Sequence, residues 1–396
     1  MPDSKYCDRV SQGQSELWRG RPRVLDALEM ELTERCNNNC VHCYINLPAT
    51  DDDTKGRELS TESAAGILRD AAALGCLKVR FTGGEPLLRE DFPELYLVAR
   101  RLGLRVLLST NATLINPQLA TLLHRFPPLE SIDVSLYGMT RESYEVVSRV
   151  SGSFEAAWRG VNLLLENRVR FVPRSVALPS IRPEMDEFEA WAKTVPGMEY
   201  APGYTMLLDL RCRRDSAQKD RMIRTLRLQP DDVVTVGMRR EEEYLRGMKQ
   251  FCAAFIGPGG ERLLTCGAGV RGGCVDAYGR FQPCLSLRHP ATSYNLSGGS
   301  LEDALKSFFP RIRTIKAENP DYLARCARCF IKGLCEQCPG KSWMEHGTLD
   351  TPVRYLCEVA HAQARHLGLL RDGENAWQVV DWQQRVAALR LQAAAT

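Results

Sequence analysis

Two hydrophobic patterns alternate along the chain between residues 25 and 210. Short apolar segments rich in Val, Ile, Leu and Phe predict buried β-strands, and longer segments whose apolar residues recur every three or four positions predict amphipathic helices. The predicted strands lie at residues 28–33, 78–82, 105–110, 131–136, 169–178 and 199–208. The predicted helices lie at residues 61–74, 93–102, 117–124, 154–166 and 184–194.

A regular alternation of strands and helices is typical of parallel β/α architecture. The pattern contains six such units, whereas a complete eight-stranded barrel needs two more units and about 250 residues. We therefore predict an α/β fold in which residues 25–210 form a partial (β/α)6 TIM-like barrel. Barrels of this kind place their chemistry at the C-terminal ends of the strands.

The chain changes character after the predicted barrel. Residues 211–255 are charged and interrupted, with one predicted helix at 229–247, and they predict a bridging helical segment. Residues 256–365 are rich in Gly, Pro and Cys, and a domain this irregular needs metal or covalent links for stability. Residues 1–24 form a polar N-terminal tail. Helical periodicity returns over 353–395, so residues 366–396 are predicted to be a helical C-terminal tail.

The bulk composition limits the possible classes of function. The 396 residues are 44% hydrophobic and 26% charged, as in ordinary globular proteins. A formal charge of +3 is too small to favour nucleic acid or an anionic membrane as a partner. The N-terminal segment lacks the apolar core of an export signal, and no apolar run approaches the roughly 20 residues of a membrane span. Fifteen cysteines without an export signal therefore indicate metal ligation in a reducing cytoplasm.

Three cysteines in the run C-N-N-N-C-V-H-C-Y are the first candidate metal ligands. Cys36, Cys40 and Cys43 follow the first predicted strand, and the next cysteine after Cys43 is Cys76, more than thirty positions later. A [4Fe-4S] cluster usually takes one cysteine for each of its four irons, so three thiolates leave one iron open. The alternatives are a zinc knuckle, which needs four close ligands, and a disulfide, which an intracellular chain seldom keeps.

The C-x3-C-x2-C spacing resembles the cysteine motif of the radical S-adenosylmethionine (radical SAM) superfamily, in which SAM chelates the open iron. The second predicted strand is followed by F-T-G-G-E-P, where Gly83 and Gly84 permit close backbone approach and Glu85 offers a carboxylate to an ammonium group. Taken alone, this segment is also a common turn. Placed one β/α unit after the cysteines, it resembles the superfamily motif that binds the SAM amino group.

Further candidate SAM contacts follow the third and fourth predicted strands. Ser109 and Asn111 lie where the superfamily binds the ribose and carboxylate of SAM, although each also suits the cap of the next helix. Ser135 ends the fourth strand, and Arg149 is either a cation for the methionyl carboxylate or a solvated helix residue. Tyr44 directly follows the third cysteine, where the superfamily keeps an aromatic ring near adenine, and its alternative is ordinary loop packing.

The second half carries two more cysteine patterns, C-x12-G-x4-C ending at Cys284 and C-x2-C-x5-C-x2-C beginning at Cys326. They resemble the SPASM extension of radical SAM enzymes, which binds two auxiliary [4Fe-4S] clusters, although the family has x3 before the last cysteine of the second pattern. A zinc ribbon or ferredoxin-like module is the alternative for that pattern alone. The resemblance implies Cys266, Cys284, Cys338 and Cys274 as ligands of auxiliary cluster I, and Cys326, Cys329, Cys335 and Cys357 as ligands of auxiliary cluster II. The remaining cysteines, predicted to be buried small hydrophobic residues, are Cys7, Cys76, Cys212 and Cys252.

Proteins with this pair of domains mostly modify ribosomally made peptides by crosslinking, thioether formation or epimerisation. The resemblance therefore implies an oxidoreductase with three [4Fe-4S] clusters that cleaves SAM, abstracts hydrogen from a peptide or protein, and takes electrons from a flavodoxin or ferredoxin. Since only a short segment precedes the first strand, we expect a separate leader-binding protein.

Two other functions stay open. One is a sulfatase-maturing enzyme, whose catalytic Asp would occupy the position of Leu285, while Asp276 is out of register. The other is a non-catalytic iron–sulfur scaffold protein, which has no evident reason to leave one iron open.

Overall fold

A computed structural model describes residues 24–198 and 202–394 of the chain. Every predicted barrel strand forms within its predicted range or one to two residues beyond it, and the first three residues of the range 199–208 lie outside the described residues. The strands are β1 Ala27–Thr33, β2 Arg35–Cys36, β3 Leu47–Pro48, β4 Lys78–Gly83, β5 Arg105–Thr110, β6 Leu129–Ser135, β7 Val172–Val176, β8 Gly203–Thr205, β9 Gly272–Val275, β10 Arg280–Gln282 and β11 Tyr294–Asn295.

The predicted α/β partial barrel is confirmed. Strands β1, β4, β5, β6, β7 and β8 are parallel neighbours in that order, so that sequence order and spatial order agree. Parallel neighbours need a crossover connection, which the helices between these strands provide. Leu28, Met30 and Leu32 of β1 and Val79 and Phe81 of β4 are buried in the main core.

The helices begin where the sequence supplies side-chain caps. Ser60 Oγ accepts a hydrogen bond from the Ser63 amide at 3.2 Å, and Asn116 Oδ1 accepts one from the Leu119 amide at 2.8 Å. Within the described residues, no helix combines the length and the apolar composition that a membrane span requires. The α-helices are α1 Asp52–Arg57, α2 Thr61–Ala73, α3 Phe92–Arg101, α4 Pro117–Arg125, α5 Arg141–Ser148, α6 Ser153–Glu166, α7 Met185–Ala192, α8 Ala217–Leu226, α9 Pro230–Gly237, α10 Glu241–Phe255, α11 Leu301–Asp303, α12 Phe309–Ile312, α13 Pro339–His346, α14 Arg354–His366 and α15 Trp382–Ala394.

The helical segments after the barrel differ from the prediction in their boundaries. The helix predicted at 229–247 is two helices, α9 and α10, joined by a 3-10 turn at Met238–Arg240. The two helices pack closely at the break. A Cβ on Gly237 would lie only 2.6 Å from the Tyr244 ring, so the packing requires glycine at this position. The helical tail predicted over 353–395 is likewise two helices, α14 and α15, with an irregular connection between them.

Part of the cysteine-rich region continues the barrel sheet. Strand β9 pairs in parallel with β1, and β10 and β11 add antiparallel strands at the same edge. Arg288, which follows β10, forms buried ion pairs with Glu31 and Glu34 at the end of β1. The Tyr278 hydroxyl donates a hydrogen bond to Glu34 Oε2 at 2.6 Å. The two halves of the chain therefore share both a sheet and a buried charge network.

Candidate cluster and cofactor site

A cavity of about 320 Å³ opens at the carboxyl ends of the six parallel strands. This is the end of the barrel at which the sequence predicts the chemistry. All three cysteines of the first motif line the cavity, together with most of the predicted SAM contacts. The predicted site residues in its wall are Cys36, Cys40, Cys43, Tyr44, Gly83, Gly84, Ser109, Asn111 and Ser135.

The cysteine loop is closed at its base by a short sheet and a buried ion pair. Strands β2 and β3 pair in parallel, which brings the two ends of the loop together. Arg35, beside Cys36, donates from Nε to Glu58 Oε1 at 2.8 Å and from Nη2 to Oε2 at 3.1 Å. Its Nη1 donates to the Ala49 carbonyl at 3.1 Å. Since Arg35 and Glu58 are both buried, the pair fixes the start of the loop.

The three thiols of the loop lie in one another's electrostatic field. Burial raises the pKa of Cys40 to about 12, and the nearby Cys43 thiol contributes to the rise. Burial also raises the pKa of Cys36, with further contributions from Glu85 and Cys43. The backbone amides of Asn38 and Asn46 each point at a thiol, at 3.4 Å from Cys36 Sγ and Cys43 Sγ respectively. Such amides stabilise thiolates and cluster sulfurs, so the donor set fits a cluster.

Gly83 and Gly84 let the loop after β4 approach the start of the cysteine loop more closely than any residue with a side chain would allow. A Cβ on Gly83 would lie 2.1 Å from the Thr33 carbonyl oxygen, and one on Gly84 would lie 2.2 Å from the Arg35 carbonyl oxygen. Gly83 also has φ +126°, a conformation that side chains rarely adopt. The glycine pair is therefore required by the contact between the two loops, and it presents backbone to the cavity.

Glu85 does not line the cavity but lies fully buried behind its wall. Its carboxylate accepts hydrogen bonds from the Asn111 amide at 2.7 Å, the Thr110 hydroxyl at 2.8 Å and the Leu87 amide at 3.1 Å. Burial raises its pKa to about 7 in spite of these donors. In this structure Glu85 ties the end of β5 to the glycine loop.

Asn111 links the end of β5 to the cysteine loop. Its Nδ2 donates to Asn37 Oδ1 at 3.0 Å and lies 3.8 Å from Cys36 Sγ, while Asn37 Nδ2 donates to Thr113 Oγ1 at 2.7 Å. Ser135 ends β6, where its backbone pairs with Arg174 of β7. These contacts bring the predicted polar residues of separate strands to one wall.

The structure separates Arg149 from the cavity and brings Arg174 to it. Arg149 caps α5 in the left-handed conformation with an exposed side chain, and its Nη1 lies 4.0 Å from Met222 Sδ. Arg174 lines the cavity with a half-exposed side chain, and its Nε lies 3.6 Å from Asp133 Oδ1. The guanidinium that faces the cavity therefore comes from β7. Sequence reasoning missed it because a lone Arg in a strand has no motif.

Three other cavity residues, His42, Asn38 and Ser175, carry buried side-chain polar atoms that form no hydrogen bond within the described residues. The atoms are His42 Nδ1, both side-chain amide atoms of Asn38 and Ser175 Oγ. Unpaired buried polar groups are rare in native proteins and mark places where another polar group binds. Their position in the same cavity wall as the three thiols supports the fit of a polar prosthetic group and cofactor here.

Asp209 connects the cavity to the second half of the chain. Its carboxylate lies in the cavity wall and forms an ion pair with Lys341. Lys341 follows Cys338 by three residues and lies 3.4 Å from Glu336 as well. Both members of the Asp209–Lys341 pair are largely buried, so the pair bridges the cavity and the region around Cys338.

The structure brings together all four cysteines predicted for auxiliary cluster II. They line one small cavity of about 20 Å³ with His361 and Trp377. The Ala376 amide donates to His361 Nε2 at 3.2 Å, so the ring proton is on Nδ1, which donates to the Cys357 carbonyl at 2.8 Å. The cysteines in this wall are Cys326, Cys329, Cys335 and Cys357.

Of the four cysteines predicted for auxiliary cluster I, the structure groups three. Burial raises the pKa of Cys284 to about 11, and the neighbouring thiols of Cys338 and Cys266 add to the rise. Cys274 has other neighbours: it is fully buried on β9, where burial and then Glu31 raise its pKa.

The described cysteines are all free thiols. Cys76, Cys212 and Cys252 are buried, as predicted, and Cys7 lies outside the described residues. Within the described residues, no group of three or more His, Cys, Asp or Glu side chains is close enough to hold a single metal ion.

Comparison with known proteins agrees with this geometry. Residues 30–192 match the family model of the radical SAM superfamily, a range that includes the cysteine loop, the glycine loop and the ends of β4 to β7 but not β8 or Asp209. The match identifies residues 30–192 as a radical SAM domain.

Individual relatives match different shares of the chain. The Fe-coproporphyrin III synthase of Methanosarcina barkeri is 40% identical over 35% of this chain, but the chain covers only 34% of that relative. The mycofactocin maturase MftC of Mycobacterium tuberculosis is 29% identical over 87% of this chain and 88% of the relative. The AdoMet-dependent heme synthase of M. barkeri is 26% identical over 80% of this chain and 92% of the relative.

Solved structures share the fold at low sequence identity. The structure of native anSMEcpe with bound AdoMet and Cp18Cys peptide has a TM-score of 0.57 and 14% identity, covering 93% of this chain and 99% of that one. Streptococcus suis SuiB bound to S-adenosylmethionine has a TM-score of 0.55 and 17% identity, covering 84% of this chain and 75% of that one. At these identities the likeness supports the fold alone.

Proposed function

We propose that this protein is an oxidoreductase that reductively cleaves SAM and abstracts hydrogen from a peptide substrate. The observation that carries the proposal is the convergence of three free thiols, the glycine loop and the polar strand ends in one cavity. When bound, the [4Fe-4S] cluster and SAM supply a 5′-deoxyadenosyl radical that removes hydrogen from an unactivated carbon.

The chain's own residues divide the binding between them. Cys36, Cys40 and Cys43 hold the cluster, and their number leaves one iron for SAM. The backbone of the glycine loop faces the SAM amino group, with Glu85 supporting that wall from behind. Ser109, Asn111 and Ser135 contact the ribose and carboxylate, and Tyr44 lies near the adenine.

Arg174 replaces Arg149 in our proposal as the cation for the SAM carboxylate. Its guanidinium is the one that the described residues place in the cavity wall, and it adjoins Ser135 across the β6–β7 pair. Its 3.6 Å contact with Asp133 is an ion pair that is longer than a hydrogen bond. A guanidinium can bind a carboxylate through two parallel hydrogen bonds.

The second half is proposed to hold two auxiliary [4Fe-4S] clusters in a SPASM-like domain of residues 256–365. The four thiols around the small cavity hold one of them, auxiliary cluster II. Cys266, Cys284 and Cys338 hold the other, auxiliary cluster I, and Cys274, which pairs with Gln282 two residues before Cys284, is the proposed fourth ligand. The Asp209–Lys341 pair places charged groups between the substrate cavity and Cys338.

A peptide is proposed as the substrate because MftC, named as a maturase, matches 87% of this chain. Purified protein, reconstituted anaerobically with iron and sulfide, is incubated with SAM, dithionite and synthetic peptides encoded by short reading frames beside its gene. We expect 5′-deoxyadenosine and a peptide whose mass has changed by loss of hydrogen. A flavodoxin or ferredoxin should replace dithionite.

The same experiment tests the expected leader-binding partner. Peptides are supplied with and without their leader, and with and without the products of neighbouring genes. We expect modification to depend on the leader and the partner together. Modification of a leaderless core peptide at full rate without any partner contradicts that part of the proposal.

The heme synthase match supports a second candidate substrate, a porphyrin. An arm with an iron porphyrin in place of the peptide distinguishes the two. Oxidation or decarboxylation of the porphyrin, with every peptide unchanged, would replace the peptide proposal while leaving the SAM chemistry intact. No 5′-deoxyadenosine from a fully loaded protein would favour a non-catalytic scaffold.

A further inference from the structure

The cysteine loop is held from outside by a buried arginine that follows the last barrel strand. Arg211 donates from Nη1 to the Cys43 carbonyl at 3.3 Å and to Asn46 Oδ1 at 3.1 Å, and from Nη2 to the Asn46 carbonyl at 3.0 Å. Its side chain is 2% exposed. One guanidinium therefore holds three acceptor oxygens at the end of the loop that carries Cys43.

Lys219, in the first turn of α8, contacts the same asparagine. Its Nζ donates to Asn46 Oδ1 at 2.8 Å, and the Asn46 amide in turn lies 3.4 Å from Cys43 Sγ. Asn46 Nδ2 donates to the Asn38 carbonyl at 3.1 Å, which carries the contact across the loop. Asn46 thus links both cations to the cluster-binding segment.

The two cations differ in how their charge is compensated. Arg211 forms two 2.9 Å contacts with the two carboxylate oxygens of Asp215, so that its charge is largely balanced. In the described part of the chain Lys219 has no carboxylate within ion-pair distance, and its electrostatic neighbours are Arg211, Asp215 and the thiols of Cys43 and Cys40. Since the Asp215 carboxylate is already paired with Arg211, Lys219 is the one of the two cations without a direct carboxylate partner.

We infer that Lys219 and Arg211 act as positioning residues for the proposed SAM-binding cluster, with Arg211 fixing the loop and Lys219 favouring the reduced state by its charge. The inference rests on the proposed function. One electron added to a cluster held by three thiolates increases its negative charge by one. A nearby cation in a partly buried site stabilises the more negative state.

The test compares the reduction potential of the SAM-binding cluster in the reconstituted full chain and in Lys219 variants. Only the open-site cluster changes its electron paramagnetic resonance signal when SAM is added, which separates it from the auxiliary clusters. In Lys219→Met we expect the ratio of reduced to oxidised cluster at a fixed potential to fall by about tenfold, a decrease of 59 mV for a one-electron couple. Lys219→Arg, which keeps the charge, should restore the parent value.

Matched controls separate charge from folding. Lys306→Met removes an exposed lysine that pairs with Glu302 away from the cavity, and it should leave the potential unchanged. Equal iron content in all variants shows that the clusters have loaded.

A parent-like potential in Lys219→Met overturns the inference, and so does an equal decrease in Lys219→Arg. Absence of a SAM-dependent signal in the parent protein instead contradicts the proposed function.

Discussion

The buried carboxyl of Glu85, behind the cavity wall, predicts how the stability of the protein depends on pH. Its carboxyl is fully buried, and burial raises its pKa from the ordinary 4.5 to about 7. The folded state therefore binds this proton more tightly than the unfolded state does. The stabilising contribution is present below pH 4.5 and is lost as the pH rises through about 7.

The size of the effect follows from the difference between the two pKa values. One pKa unit corresponds to about 1.4 kcal/mol, so between pH 5 and pH 8 the group should cost the folded state about 2 to 3 kcal/mol. Glu85→Gln cannot titrate. We therefore expect the free energy of unfolding of the variant, minus that of the parent, to increase by about 2 to 3 kcal/mol as the pH rises from 5 to 8.

The assay is urea unfolding of cluster-free protein under reducing conditions at pH 5, 6, 7 and 8. Taking the difference between variant and parent cancels the other titrating groups. Glu62→Gln, at an exposed position on α2, is measured beside it to show the effect of removing a surface carboxylate. A difference for Glu85→Gln that stays constant across this range would refute the assignment of a buried carboxyl with a raised pKa.

Three further substitutions test the cavity. Glu58→Ala should lower the free energy of unfolding by about 3 to 5 kcal/mol because it leaves Arg35 buried without its partner, and a loss below about 1 kcal/mol in urea unfolding would contradict the paired geometry. Gly84→Ala should prevent loading of the first cluster, measured as iron content, because its Cβ would lie 2.2 Å from a backbone oxygen, whereas Gly66→Ala, with no atom within 4 Å, should load normally. Arg174→Gln should weaken SAM binding about tenfold in equilibrium dialysis, because it removes the cation proposed to bind the SAM carboxylate. An unchanged affinity for SAM would contradict that assignment.

The barrel was predictable because its elements are local and strongly patterned. The strand β5 occupies the predicted range 105–110, and the helix α2 ends one residue before its predicted end. A continuous apolar segment predicts β5, and apolar residues repeated every 3.6 positions predict α2, so each element is specified by its own residues. The positions of the cysteine triplet and of Gly83–Gly84 were equally predictable, because each directly follows a predicted strand and the two strands are neighbours.

Features that depend on contacts between distant segments were not predictable. Strand β9 has four residues, two of them glycine, and it forms because β1 offers a free edge more than 240 positions earlier. Arg149 and Arg174 are indistinguishable as residue types, and only the sheet register places Arg174 beside Ser135. The proposed roles of Lys219 and Arg211 depend on their contacts with the cysteine loop, which lies more than 160 positions earlier in the chain. No local sequence pattern predicts such contacts.

The central claim is that the three-cysteine cavity cleaves SAM, and it is tested most directly by 5′-deoxyadenosine formation in Cys36→Ala. The variant is reconstituted beside the parent and beside Cys76→Ala, which removes a buried thiol away from the cavity. We expect parent and Cys76→Ala to form 5′-deoxyadenosine with SAM and dithionite, and Cys36→Ala to form none while still holding the iron of the two proposed auxiliary clusters. Formation of 5′-deoxyadenosine by Cys36→Ala at the parent rate would contradict the assignment of this cavity.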